Sequence, residues 1–110
     1  MPKYISFFSY TPESWKAMLE KPEDRGAAVK RLAESVGGRI ECFYWMSGDY
    51  DGFLVSDLPD EQAAGALAAI VKSSGALARY ETHVLMTMDQ VQPMLKKAHE
   101  ASQSYRRPGS

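Results

Sequence analysis

The sequence predicts an α+β domain built on a four-stranded antiparallel sheet, and three observations predict it. Four segments rich in aromatic and β-branched residues alternate with segments of helical spacing, in the order strand, helix, strand, strand, helix, strand. The two middle strands are joined only by Ser47-Gly48-Asp49, which makes them antiparallel neighbours. The other two connections are long enough to be crossovers, and right-handed crossovers place both main helices on one face of the sheet. This β-α-β-β-α-β order is the ferredoxin-like split β-α-β pattern, extended here by an extra C-terminal helix.

Each element has its own local signal. Residues 3–10 alternate Tyr4, Phe8 and Tyr10 on one face with Ile5 and Phe7 on the other, as a strand does. Thr11 is a helix cap and Pro12 suits a first helical turn. A short helix then carries Trp15, Met18 and Leu19 on one stripe and ends at Pro22. Glu23 and Asp24 put negative charge where a second helix begins. Over 24–36, Val29, Leu32, Ala33 and Val36 recur at helical spacing until Gly37-Gly38 stops them. Residues 39–46 form a second strand, apolar or aromatic on both faces toward its end, and residues 50–56 run back as the third.

Asp57-Leu58-Pro59-Asp60-Glu61 marks a helix start, with a cap, an early proline and two acids in the first turn. That helix runs to about Ser74, is dense in alanine, and takes its larger contacts from Leu67, Ile70 and Val71. Gly75 ends it, and residues 77–88 form the fourth strand. Asp89 opens a last helix with a weak apolar stripe of Val91, Met94, Leu95 and Ala98. Pro93 lacks an amide for an early helical bond, so the regular helix is expected from about Pro93. Residues 1–103 read as one domain and residues 104–110 as a flexible C-terminal tail.

Bulk properties narrow the function classes. Thirteen basic residues against fourteen acidic ones leave no electrostatic footprint for nucleic acid and no polybasic segment for a membrane surface. There is no apolar run of the length that spans a bilayer, and the first eight residues carry no signal-peptide pattern. Cys42 is the only cysteine, so no intrachain disulfide can form, and a cytoplasmic location is expected.

The strands carry large apolar residues at both parities: Tyr44 and Met46 against Phe43 and Trp45, Leu54 against Phe53 and Val55. Two helices cover one face of a sheet, and soluble monomers rarely leave the other face apolar and bare. A homodimer packed sheet to sheet about a two-fold axis is therefore expected, with higher oligomers left open. The other available cover is the C-terminal helix, whose stripe is weak for that task.

Gly48-Asp49-Tyr50-Asp51, followed by a strand and Leu58-Pro59-Asp60, resembles the signature of the GYD domain family, whose Gly-x-Tyr-Asp run is matched by Gly48, Tyr50 and Asp51. Tyr10-Thr11, Arg25, Gly37-Gly38 and Tyr44 support the resemblance over most of residues 3–90. Gly52, where many members carry a β-branched residue, and the heavy Phe43-Tyr44-Trp45 run depart from the pattern. The resemblance implies a dimeric α/β barrel, two ferredoxin-like sheets face to face, and a family without an established activity. Relatives by fold include cofactor-independent monooxygenases, isomerases, haem enzymes and plain binding proteins, and fold does not choose among them.

The candidate catalytic residues are Asp51, His83 and Tyr44, and the candidate ligand-pocket residues are Tyr10, Tyr44, Trp45, Tyr50, Asp51 and His83. Asp49 and Asp51 share a strand parity, and two carboxylates in one cavity can divide acid and base work. The plainer reading is that Asp49 makes the turn and Asp51 bonds backbone amides. His83, mid-strand, suits a general base in a cavity or a satisfied edge residue outside one. The tyrosines and Trp45 suit either a flat aromatic ligand or an interface. Cys42 reads as a small hydrophobe and His99 as solvent-facing. No phosphate-binding glycine loop, serine-hydrolase elbow or zinc spacing occurs, so no cofactor and no metal are expected. The expected function is a homodimeric small-molecule-binding module, with ligand room between sheet and helices or at the dimer seam. The alternative is a cofactor-independent monooxygenase or isomerase acting on a small aromatic or polyketide-like substrate, which an internal pocket holding two or more of Asp51, Tyr44 and His83 would favour.

Overall fold

A computed structural model describes all 110 residues. The elements are β1 (Lys3–Tyr10), α1 (Pro12–Glu20), α2 (Arg25–Ser35), β2 (Arg39–Trp45), β3 (Gly52–Asp57), α3 (Glu61–Ser73), β4 (Leu77–Leu85) and α4 (Met88–Ser102). The strands form one sheet in the order β2-β3-β1-β4, antiparallel throughout. This is the ferredoxin-like α+β arrangement, with β1 and β3 at the centre.

Alternation along β1 sorts the two faces. Tyr4, Ser6, Phe8 and Tyr10 are buried, while Ile5 and Phe7 between them are only half-buried. Register carries the pattern across the sheet: Ser6 lies opposite Leu54 and Thr82, and Phe7 opposite Phe53 and Glu81. The helix-side core falls into two clusters. Tyr4, Leu58, Ala63 and Leu67 form one, with Leu32, Val36 and Ala64 against it. Phe8, Tyr10 and Leu54 form the other, with Trp15, Met18, Val29 and Phe43 among its partners. Leu19 does not join the α1 stripe; it is 78% exposed, because Trp15 and Met18 alone reach the second cluster.

Side-chain bonds set the boundaries that pattern alone misplaces. The α3 cap is Asp60, whose Oδ1 accepts from the Ala63 amide at 2.9 Å. Asp57 is instead the last residue of β3, because its carboxylate is held by two cations: Lys3 Nζ on Oδ1 and Arg39 Nε on Oδ2, both at 2.9 Å. Lys3 also reaches Glu41 at 2.9 Å, so one polar knot fastens the ends of β1, β2 and β3. β4 stops at Leu85 rather than reaching Met88, since Thr87 caps α4 and its amide donates to Gln90 Oε1 at 2.8 Å. α4 is accordingly regular through Pro93; its outward position leaves the carbonyl that Pro93 cannot bond free to face solvent. No residue of α4 is buried, and it makes no extended packing with any other element. It does not cover the sheet.

Two predictions follow from these contacts. Gly52 sits where a Cβ would lie 2.5 Å from the Tyr44 carbonyl oxygen and 2.6 Å from Phe8 Cζ, a close approach that explains the glycine in mid-sheet. Gly52→Ala is expected to destabilise the fold by about 1–3 kcal/mol in urea unfolding, through displacement of the Phe8 ring or of β2. Hydrogen bonds from Lys3, then from Arg39, hold the Asp57 carboxyl below its ordinary range. A depressed carboxylate contributes stability above its unfolded pKa and loses it as pH falls, here from about pH 4 downward. Asp57→Asn should therefore be less stable than the parent at pH 7, and the gap should shrink as the pH is taken from 5 to 2.5.

Candidate functional site

The helices α2 and α3 lie on one face of the sheet, and Leu32 and Val36 of α2 reach the core cluster that holds Ala63 and Leu67 of α3. Beneath them is a cavity of about 100 Å³. Residue size creates it. The helices present Val29, Ala33 and Ala64, and the floor presents Ser6, Ser56 and Thr82, where bulkier side chains would join the two core clusters. Fifteen of its twenty lining residues are hydrophobic. The polar floor is self-satisfied: Ser6 Oγ and Thr82 Oγ1 are 2.9 Å apart, and the Tyr80 hydroxyl lies 3.3 Å from Ser6 Oγ. No buried side-chain polar atom lacks a partner. Each hydroxyl keeps hydrogen-bonding capacity that a ligand could use.

Tyr10 and Arg25 complete the lining. Tyr10 packs edge-on against Phe8, Trp15 and Trp45, at centroid distances of 5.3, 5.4 and 6.0 Å. Burial raises the pKa of its hydroxyl, with Arg25 and Trp45 opposing that rise, so the group is a protonated donor at neutral pH. Arg25 opens α2 and bonds Glu23 Oε1 through Nη1 at 3.1 Å; its partly exposed side chain places it at the cavity rim.

Asp51 does not line this cavity. Its Oδ2 accepts from the Tyr10 amide at 2.7 Å and from Trp15 Nε1 at 3.2 Å. Its own amide donates to Phe8 O and its carbonyl accepts from the Met46 amide, both at 2.8 Å. The plainer reading of Asp51 is the observed one, with an indole added. Asp49 offers only its backbone carbonyl, which accepts from Ser9 Oγ at 3.2 Å, so the two acids form no working pair.

Tyr44 and His83 lie on the opposite, uncovered face. Tyr44 is opposite Phe53 and stacks on its ring at 5.7 Å, 59% exposed. His83 is opposite Ile5 on the far side of β1, and its Nε2 lies 2.7 Å from Glu81 Oε2. Tyr50 joins that polar cluster: its hydroxyl donates to Glu81 Oε1 at 3.0 Å, its ring packs on Phe7, and the Arg79 guanidinium covers it at 4.1 Å. Bonds from His83 and then Tyr50 lower the Glu81 pKa. Trp45 is half exposed beside Trp15. Of the six pocket candidates, then, only Tyr10 lines the internal cavity. Asp51, Tyr44 and His83 are not brought together, because they project from opposite faces or bond to backbone.

Apart from Tyr10, sequence reasoning missed the cavity's own residues. Ser6 and Thr82 carried a faint signal, being small hydroxyl residues at facing positions of otherwise bulky strands. Arg25 stood out only as a helix-start residue that supports the family resemblance.

Sheet order and helix placement define a ferredoxin-like α+β domain. More particularly, residues 4–95 match the model of the GYD domain, and the chain belongs to the GYD domain family. Comparison with curated proteins gives no match. Among solved structures, the chain is similar to an uncharacterized NIPSNAP-like domain protein from Burkholderia xenovorans, at 15% identity over 79% of this chain and 84% of that one, with a TM-score of 0.44. No helix is long and apolar enough to cross a membrane.

Asp51 is expected to matter for stability. Asp51→Ala strands the Tyr10 amide and the Trp15 indole, and should cost about 1–3 kcal/mol in denaturant unfolding, with an altered tryptophan emission in the folded protein. Unchanged stability and emission would contradict the assigned bonds.

Proposed function

We propose that the protein is a homodimeric small-molecule-binding module whose ligand occupies the cavity between the sheet and the helices α2 and α3. The observation that carries the reading is the cavity itself: an apolar chamber with a few convergent hydroxyls, the usual composition of a small-ligand site. A chamber left between two half-formed core clusters is a weakness unless something fills it.

The dimer rests on the uncovered face. Ile5, Phe7, Phe53 and Val55 are half-buried there and Tyr44 is exposed, while α4 stands clear of them. A second copy packed sheet to sheet covers this face and makes the barrel-like assembly. Its apolar centre lies on β1, β2 and β3; the cluster of Glu81, His83 and Tyr50 lies toward the β4 edge. The lone, half-buried Cys42 accords with a cytoplasmic setting.

In size-exclusion chromatography with light scattering, the protein should run at twice its chain mass at micromolar concentration, and Phe53→Glu should run as a folded monomer. A parent protein that is monomeric under those conditions removes the dimer. Native mass spectrometry of protein as purified should show an added small mass that denaturing spectra lack.

A further inference from the structure

We propose that the ligand of this cavity is a small monocarboxylic acid whose carboxylate pairs with Arg25 and whose apolar body lies against the sheet. The inference rests on the reading of the cavity as a ligand site and names the class that site would take. Arg25 is the one charged residue among the twenty that line the cavity, and no acid faces it there. Like charge at the rim disfavours a cationic ligand, and a single guanidinium cannot balance a dianion. A monoanion fits.

The geometry of Arg25 suits that role. Its side chain makes one hydrogen bond, through Nη1 to Glu23. Both partners of that pair are partly exposed, and such pairs hold weakly. A guanidinium carries five N–H donors in a planar fork that matches a carboxylate, so most of its capacity is unused. Tyr10, which shares the lining with Arg25, is a second donor. A tyrosine hydroxyl is protonated at neutral pH, and burial pushes its pKa further up, so it donates to an anion rather than repelling it.

Volume sets the body of the acid. A dry protein cavity of about 150 Å³ holds benzene. This pocket is smaller, about 100 Å³, and is open to solvent beside Thr82 and Ser74, both exposed. A short alkyl chain fits within it, and a single ring sits partly in the opening, with the carboxylate at the rim.

Isothermal titration calorimetry on the full-length protein tests the assignment, with benzoate and hexanoate set against their neutral isosteres benzamide and hexanamide. The acids should bind at least about tenfold more tightly than the amides, the range expected of a charge-assisted hydrogen-bond pair. Arg25→Gln should erase that preference while leaving amide binding alone, and Arg25→Lys should restore part of it. Ala64→Leu fills the chamber and should abolish binding of all four, with circular dichroism showing it folded. If acids and amides bind alike, and Ala64→Leu abolishes both, the acid class is overturned and the cavity reading stands. An acid preference that survives Arg25→Gln overturns the role of Arg25. If neither acid binds but a ligand is retained in native mass spectra, the acid class again falls alone; if neither acid binds and nothing is retained, both readings fall.

Discussion

The Asp51 node holds this structure in register. Three of its groups make four bonds at once: carboxylate oxygen to the Tyr10 amide and the Trp15 indole, amide to Phe8, carbonyl to Met46. Those bonds tie the start of β3 to the end of β1, to α1 and to the end of β2. They also set the aromatic wall in which Tyr10, Trp15 and Trp45 meet edge to face. Since Tyr10 is part of the cavity lining, the shape of one end of the chamber depends on a carboxylate that never enters it. At the far end of the same strands, Asp57 between Lys3 and Arg39 makes a comparable clamp. The two acids fix the sheet at both ends, which lets its middle be thinly packed.

That thin middle follows from side-chain size. β1 places Ser6 between Tyr4 and Phe8 on the covered face, β4 sets Thr82 opposite it, and β3 contributes Ser56. Large residues anchor the helices at either end of the strand, and small hydroxyl residues hold them off between. α3, rich in alanine, contributes Leu67 and Val71 to the lining but only Ala64 between them and the start of the helix. The same economy of helices leaves the other face uncovered. With α1 and α2 on one side of the chain's midpoint and α3 on the other, all packing on one face, the Phe7, Phe53 and Tyr44 side has no intramolecular partner.

Strand identity and order were legible because period-two alternation in β1 and the short Ser47-Gly48-Asp49 link leave few topologies open. Boundaries were less so, because they depend on which side chain finds a partner. Asp57 and Asp60 are equally good caps on paper; the cations Lys3 and Arg39, distant in sequence, decide between them. Gln90 fixes the start of α4 in the same way, ahead of Asp89 and in spite of Pro93. Parity separated Tyr44 from Phe43 correctly, yet sequence alone does not say which parity the helices cover, so Tyr44 and His83 remained pocket candidates. A cavity is the least legible feature of all. It consists of volume that neighbours fail to fill, and no motif announces it; Ser6, Thr82 and Arg25 become a site only once three strands and two helices are in place.

The family signature gains a physical meaning from this placement. Gly48 has φ of 119°, a conformation open to glycine, and turns the chain out of β2. Tyr50 is held on the uncovered face by Phe7, Arg79 and Glu81. Asp51 locks the entry to β3. All three residues serve the joint between β2 and β3, and none lines the chamber. A signature made of scaffold residues defines who shares the fold without saying what the fold holds. In this chain the cavity is lined instead by the small floor hydroxyls, the alanines of the roof and Arg25 at the rim, among larger apolar residues. Apart from Arg25, which supports the family resemblance, the hydroxyl and alanine positions lie outside the residues that carry it, so they can vary while the joint stays intact.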